Sequence, residues 1–305
     1  MIRNFADLWD IVPDEGWEIL LSAESIKSRR DENKYLSEKN VGLFFTKPST
    51  RTRVSFEVAI NQLGGNAIYL TEQSLQISRG EDIKDTARTL SRYLDCIVIR
   101  TDSHKKLEEY ARSSTIPVIN ALTDMSHPCQ VLSDVFTIYE AFRDGMKNIK
   151  IAYIGDGNNV CNTWLVAAGL FGLNLFVATP EGYEPSSYYY QAGEDLCMVT
   201  GGSIYLTTNP VEAVKDAHVV YTDVWISMNQ ERDEEKVSTF RSYQVNRELL
   251  SHAKNDVKVM HCLPAKKGEE ITEDVFEAFE GFIFMQAENR LHTQKALLKF
   301  LFTQR

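Results

Sequence analysis

No stretch of this sequence is apolar for the roughly 18 to 20 residues that a bilayer span requires. The first residues, Met1-Ile2-Arg3-Asn4-Phe5-Ala6-Asp7, lack the charged-then-apolar layout of a secretion signal, so a cytoplasmic protein is expected. Cysteine is scarce and scattered. Cys96, Cys129, Cys161, Cys197 and Cys262 are odd in number and far apart, which fits neither a disulfide framework nor a metal motif with two-residue spacing. Reduced thiols and no metal are expected. Positive charge is also short, with 33 Lys and Arg against 43 Asp and Glu and a formal net charge of -10. That balance excludes sequence-independent nucleic-acid binding, which needs a basic surface to displace counterions. Any anion site must therefore be local, built from a few arginines and helix N-termini. Repeats, low-complexity tracts and long linkers are absent too.

What is present is a regular alternation of short apolar runs and helix-length segments over 305 residues, 43 % hydrophobic and 25 % charged. This length exceeds what one hydrophobic core comfortably serves, so two domains are expected. In the first half, Val41 to Phe45, Ala67 to Leu70, Cys96 to Arg100 and Pro117 to Ala121 read as buried parallel strands. The pattern restarts at Ile149 to Ile154, followed by Leu175 to Ala178, Ser203 to Leu206, Val219 to Thr222, Val257 to Met260 and Phe282 to Phe284. Val160 to Gly172 reads as the first crossover helix of this second set. The expected fold is α/β, with two doubly wound parallel-sheet domains and the active site in the cleft between them. The division is expected at residues 1–145 and 146–285, with a C-terminal helix, 286–305, packing back on the first domain.

In open parallel sheets ligands bind beyond the carboxyl ends of the strands. The segments there are rich in polar groups: Lys47-Pro48-Ser49-Thr50-Arg51-Thr52-Arg53, Arg100-Thr101, His127-Pro128-Cys129-Gln130, Asp156-Gly157-Asn158-Asn159, Asp223-Val224-Trp225 and His261-Cys262-Leu263-Pro264. The first lies between a strand and a helix, so its hydroxyls, the Arg51 guanidinium and the helix N-terminus form an anion cradle suited to phosphate. Arg53 instead is expected to pair with Glu57, four residues on. Arg88 and Arg92 are read as structural. The glycines around Asp156 do not make the three-glycine dinucleotide fingerprint, which argues against a nicotinamide cofactor.

The run Phe45-Thr46-Lys47-Pro48-Ser49-Thr50-Arg51-Thr52-Arg53-Val54-Ser55-Phe56-Glu57 resembles the carbamoyl-phosphate motif of the aspartate/ornithine carbamoyltransferase superfamily. The resemblance extends over the whole chain, with at least six motifs in order. It implies that Ser49, Thr50, Arg51 and Thr52 hold the phosphate, while Arg100, His127 and Gln130 reach the carbamoyl group and the remaining oxygens. It further implies that Arg290, in Gln286-Ala287-Glu288-Asn289-Arg290 at the opening of the last helix, touches carbamoyl phosphate. Gln76, on the loop Leu75-Gln76-Ile77-Ser78-Arg79-Gly80, is implied to serve the neighbouring subunit of a homotrimer.

For the second substrate, the resemblance gives Asn159 the α-carboxylate and α-amino group of an amino acid, a role its donor and acceptor suit. Asp223-Val224-Trp225-Ile226-Ser227-Met228 resembles the segment typical of ornithine enzymes, with Asp223, Ser227 and Met228 as contacts. Asp223 supplies a charge complementary to an ammonium. His261-Cys262-Leu263-Pro264 resembles the same enzymes, in which this cysteine lies beside the reacting amine. The implied catalytic residues are Cys262, Arg100 and His127, with Cys262 and Leu263 also at the carbamoyl group. Asn229 and Met285 depart from the family pattern, where glycine and an acidic residue are usual. The implied reaction is transfer of the carbamoyl group of carbamoyl phosphate to the δ-amine of ornithine, without metal or organic cofactor, because the leaving group is already activated. A carbamoyltransferase for another amine (putrescine or an acylated ornithine) and a non-catalytic ligand-binding homologue are the competing readings.

Overall fold

A computed structural model describes residues 3–227 and 231–303, and the side chains of all of these except Ser78 and Arg79. Met228 and Asn229 thus lie outside the described residues. The chain divides into two compact units, residues 1–136 with 289–305, and residues 137–288.

The first unit carries a four-stranded parallel sheet of β1 (Asn40–Phe45), β2 (Asn66–Thr71), β3 (Cys96–Arg100) and β4 (Val118–Leu122), in the order β2-β1-β3-β4. The helices are α1 (Pro13–Lys27), α2 (Thr50–Gln62), α3 (Ile83–Leu90), α4 (His104–Ser113) and the start of α5 (Pro128–Phe142). β3 is buried at all five positions, as expected of a strand covered on both faces. The second unit carries β5 (Lys150–Ile154), β6 (Asn174–Ala178), β7 (Ser203–Thr207), β8 (Val219–Thr222) and β9 (Lys258–His261), all parallel, in the order β7-β6-β5-β8-β9. Its helices are α6 (Asn159–Phe171), α7 (Ser187–Thr200), α8 (Pro210–Val214), α9 (Glu234–Phe240), α10 (Arg247–Leu250) and the start of α11 (Glu273–Thr303). Gly172 ends α6 in the left-handed conformation that a side chain would strain.

Nine of the ten expected strands are present, most of them within a residue of the expected bounds. The tenth, Phe282 to Phe284, is not a strand: it lies inside α11, where Ile283 is fully buried and Phe284 is 53 % exposed. The last helix accordingly starts at Glu273 rather than at Gln286, and its residues from Asn289 onward belong to the first unit. A three-residue apolar run has no period long enough to separate strand from helix. Gly281 and the residues before it supply no stop.

The topology fixes where chemistry can sit. Sequence order reverses direction between β1 and β3 in the first sheet, and between β5 and β8 in the second. These are the two switch points, where the loops beyond adjacent strands run apart and leave a crevice.

Candidate active site

At the first switch point, β1 ends at Phe45 beside Arg100 of β3, and the register shifts between Ile99 and Arg100. Such an irregularity re-aims the side chain that follows it. Ser49 occupies the N-cap position of α2 in extended backbone, yet its side chain makes no capping bond. Instead its Oγ accepts from Arg100 Nη1 at 3.3 Å. The first N–H groups of α2 have no intrahelical acceptor, so the helix end is left as an anion-binding terminus. Thr50 is exposed there and Arg51 half-buried.

Thr52 and Arg290 are both buried, and Arg290 Nη2 donates to Thr52 Oγ1 at 3.0 Å. Arg290 Nη1 donates to Gln130 Oε1 at 2.5 Å, and Gln130 Nε2 donates to Asp134 Oδ1 at 2.8 Å. Because a guanidinium only donates, the Gln130 amide is oriented with its oxygen toward Arg290. Gln130 therefore serves first to hold Arg290, and a ligand finds only its second lone pair and second N–H.

The cationic groups disturb one another. Burial, and then the neighbouring Arg290 and Arg51, bring the Arg100 pKa down to about 10. Burial, followed by Arg290, Arg100 and Arg51, holds His127 well below the usual imidazole range, so it is neutral at pH 7. Three arginines around a neutral imidazole are the electrostatic imprint of a site for a multiply charged anion. Arg53 is apart from this group: it pairs with Glu57 at 3.5 Å, as the i, i+4 spacing led one to expect, and it also stacks over Tyr69 at 3.8 Å. Gln76 is exposed on a short 3-10 turn.

At the second switch point the groups are anionic and amide. Asn158 caps α6, its Oδ1 accepting from the N–H groups of Val160 and Cys161. Its Nδ2 donates to Asp223 Oδ2 at 2.8 Å, joining the end of β5 to the end of β8. Gly157 beside it lets a different segment come close, the loop at Tyr183 to Pro185: a Cβ there would lie 2.3 Å from the Pro185 backbone nitrogen. Asp223 Oδ1 accepts from the Val224 N–H and from the Cys262 thiol, each at 2.8 Å. Asp223 is 6 % exposed and forms no ion pair among the described residues. The second carboxylate nearby is different: Asp156 pairs with Lys236 at 2.8 Å, both nearly buried. Burial raises the Asp156 pKa, and the Lys236 hydrogen bond opposes this. Asn159 stands half-buried at the head of α6, and Ser227 is half-buried at the last described position of its loop.

Cys262 follows β9 and, alone among the five cysteines, is not buried. Leu263 takes φ 59°, a conformation that costs a branched residue about 1–3 kcal/mol unless its surroundings hold it. Its N–H donates to His261 Nδ1 at 2.9 Å, so its carbonyl is the backbone group left for a ligand. His261 Nε2 lies 2.9 Å from Glu270 Oε1, and both side chains are fully buried. Asp223, His261 and Cys262 bring their donor atoms within 4.8 Å of one another, a spacing a metal ion could use. Each of those atoms, however, already has a protein partner.

Of the residues the sequence singles out, Ser49, Thr50, Arg51, Thr52, Gln76, Arg100, His127, Gln130 and Arg290 stand in one unit, and Asn159, Asp223, Ser227, Cys262 and Leu263 in the other. Sequence reasoning missed Asn158 as the donor to Asp223, Asp134 as the acceptor that orients Gln130, and the partners Lys236 and Glu270. Only Asp134 carried a signal, being four residues from Gln130 on one helix face.

Comparison with known proteins agrees in both halves. The model for the carbamoyl-P binding domain of aspartate/ornithine carbamoyltransferases matches residues 3–140, and that for their Asp/Orn binding domain matches residues 147–301. An ornithine carbamoyltransferase of Aquifex aeolicus is 62 % identical over 303 residues, 99 % of this chain and 98 % of that protein. One from Pyrococcus horikoshii is 49 % identical, covering 98 % of this chain and 95 % of that protein. Among solved structures, ornithine carbamoyltransferase of Pyrococcus furiosus superposes with a TM-score of 0.94 at 48 % identity, covering 99 % of this chain and 98 % of that one. The anabolic enzyme of Campylobacter jejuni gives 0.95 at 40 % identity, with both chains fully covered.

Proposed function

The chain belongs to the aspartate/ornithine carbamoyltransferase family, and from that premise we propose how its residues work. The reaction is transfer of the carbamoyl group of carbamoyl phosphate to the δ-amine of ornithine, giving citrulline and phosphate. In the first unit, Ser49, Thr50, Arg51 and Thr52 hold the phosphate with the N-terminus of α2, and Arg290 supplies a further cation. Arg100 and neutral His127 donate to the carbamoyl oxygen, where charge develops as the amine adds. Gln130 fixes Arg290 and accepts from the carbamoyl N–H with its remaining lone pair. The carbonyl of Leu263 offers an acceptor of the same kind.

Ornithine is held in the second unit. Asn159, Ser227 and Met228 take its α-carboxylate and α-amino group, and Asp223 complements its positive charge. Cys262 meets the reacting amine: with the thiol proton directed to Asp223, its sulfur accepts the amine N–H and orients its nitrogen. The neutral amine attacks the carbonyl carbon, the bond from that carbon to the phosphate ester oxygen breaks, and the amine's surplus proton leaves with phosphate. The cationic groups around the phosphate make it the better leaving group.

One observation carries the choice of acceptor. Of the two carboxylates at the second switch point, Lys236 neutralises Asp156 while Asp223 is buried without a cation among the described residues. A buried carboxylate of that kind favours a cationic ligand and disfavours a dicarboxylate such as aspartate. The test is citrulline formation from carbamoyl phosphate and ornithine, with putrescine, N-acetylornithine and aspartate as parallel acceptors. Turnover with ornithine above all is expected; preference for another amine would move the specificity assignment, and no product at all would refute catalysis.

The exposed Gln76 is proposed to serve the phosphate site of a neighbouring subunit in a homotrimer, and the chain to work in the cytoplasm. No helix among the described residues is long and apolar enough to cross a membrane. Sedimentation equilibrium tests the trimer, and a monomer with full activity would rule out the role of Gln76.

A further inference from the structure

His261 and Glu270 take no part in the roles above, yet they form a fully buried pair in the second unit, each side chain being 0 % exposed. The hydrogen bonds settle the imidazole tautomer. A backbone N–H can only donate, so His261 Nδ1, 2.9 Å from the Leu263 nitrogen, is the acceptor and carries no proton. The proton of the neutral ring is then on Nε2 and is donated to Glu270 Oε1 at 2.9 Å. That same oxygen accepts the Lys266 N–H at 2.6 Å, and the His261 N–H donates to Gln286 Oε1 at 3.0 Å.

These bonds surround a turn that would not hold itself. Leu263 is in the left-handed region, which a branched side chain avoids, and its N–H is tied to the ring two residues back. Cys262, between them, directs its thiol to Asp223 at 2.8 Å. We propose that Glu270 and His261 are positioning residues for the reacting end of the site: Glu270 fixes the imidazole tautomer, and the imidazole holds the Cys262–Leu263 backbone that aims the thiol at Asp223. This deepens the proposed function and rests on it. The logic is that of a base oriented by a buried carboxylate, here applied to backbone geometry instead of proton transfer.

Asparagine and glutamine at position 261 separate this role from a merely structural one. Asparagine places its oxygen where Nδ1 stands and can make the same bond to the N–H two residues on, as in an Asx turn. Glutamine places its polar group toward position 270 and loses that bond. Both are compared in a Glu270→Gln background, which keeps an acceptor oxygen and leaves no carboxylate buried unpaired. Glu270→Gln alone and its combination with His261→Asn should keep kcat within about tenfold of the parent, while the combination with His261→Gln should lose about a hundredfold, as for a misplaced reacting group. Phosphate binding, which depends on the first unit, should not change in any of them.

Iodoacetamide labelling under native conditions gives a second readout, because the other four cysteines are buried. The Cys262 rate should depart from the parent in the His261→Gln combination and not in the His261→Asn one. If the glutamine protein does not fold, Glu270→Met against Glu270→Gln poses the same question, acceptor removed or retained at similar volume, and only the methionine variant should lose kcat. Equal losses within either pair, or an unchanged labelling rate in the His261→Gln combination, would overturn the positioning role. Absence of citrulline from the parent protein would instead overturn the proposed function.

Discussion

Asn158 donates to Asp223 across 2.8 Å, from the loop after β5 to the end of β8, and so bridges the switch point of the second sheet. The contact between Arg100 and Ser49 does the same between β3 and β1 in the first sheet. Each unit thus begins its site where the topology opens a crevice. One is built from cations and hydroxyls, the other from a carboxylate, an amide and a thiol.

Asp223→Asn keeps an oxygen for Cys262 and removes the charge. The KM for ornithine is expected to rise about 30-fold or more, the equivalent of ~2 kcal/mol for a lost buried charge pair. The KM for carbamoyl phosphate should stay nearly constant. Steady-state kinetics with each substrate varied in turn would check this, and an equal rise in both constants would point to general disruption.

Arg51 and Arg53 differ by two positions and should differ in kind. Arg51→Ala should weaken phosphate binding about tenfold to a hundredfold, the scale of hydrogen bonds to charged groups. Arg53→Ala removes a half-exposed pair and a stacked ring, and should cost at most about 1 kcal/mol of stability with phosphate affinity intact. Calorimetric titration with inorganic phosphate distinguishes them.

His127 links stability to pH. Its folded pKa is depressed, so above about pH 6.5 the ring is neutral in both folded and unfolded chains and contributes no pH dependence. As pH falls below that, the unfolded chain gains a proton that the folded one refuses, and stability is lost until the folded pKa is reached. His127→Gln should flatten the fall in urea midpoint below pH 6.5, and an unchanged slope would contradict this origin.

Lys236→Met should leave Asp156 buried without its partner and destabilise the fold by about 3–5 kcal/mol. Adding Asp156→Asn should recover much of that loss. Urea unfolding of the single and double variants measures it, and additive losses would mean that the pair does not act as one.

The central strands were legible because buried parallel strands are continuous apolar runs. For the same reason Phe282-Ile283-Phe284, an apolar run on a helix, was mistaken for one. β2, expected to be buried, and β7 are edge strands with no buried residue, since one side of each has no neighbouring strand. Arg100, His127, Asp223 and Cys262 were legible because a strand end is visible in sequence and ligands gather there. Their supports were not: Lys236 lies 80 residues from Asp156, and no local pattern announces that they will meet. Glu270 gave no sign either, since a loop glutamate is ordinarily solvated. The 2.8 Å contact of Asn158 with Asp223 also gave its residue a second role beyond capping, which spacing alone could not reveal.

The most direct measurement is nuclear magnetic resonance of the product formed from carbamoyl phosphate with heavy carbon at its carbonyl and ornithine with heavy nitrogen at its δ position. A one-bond carbon–nitrogen splitting in citrulline, appearing with one equivalent of phosphate, is the expected result. Labelled carbon in bicarbonate alone, or coupled to any nitrogen other than the δ nitrogen, would contradict carbamoyl transfer to ornithine.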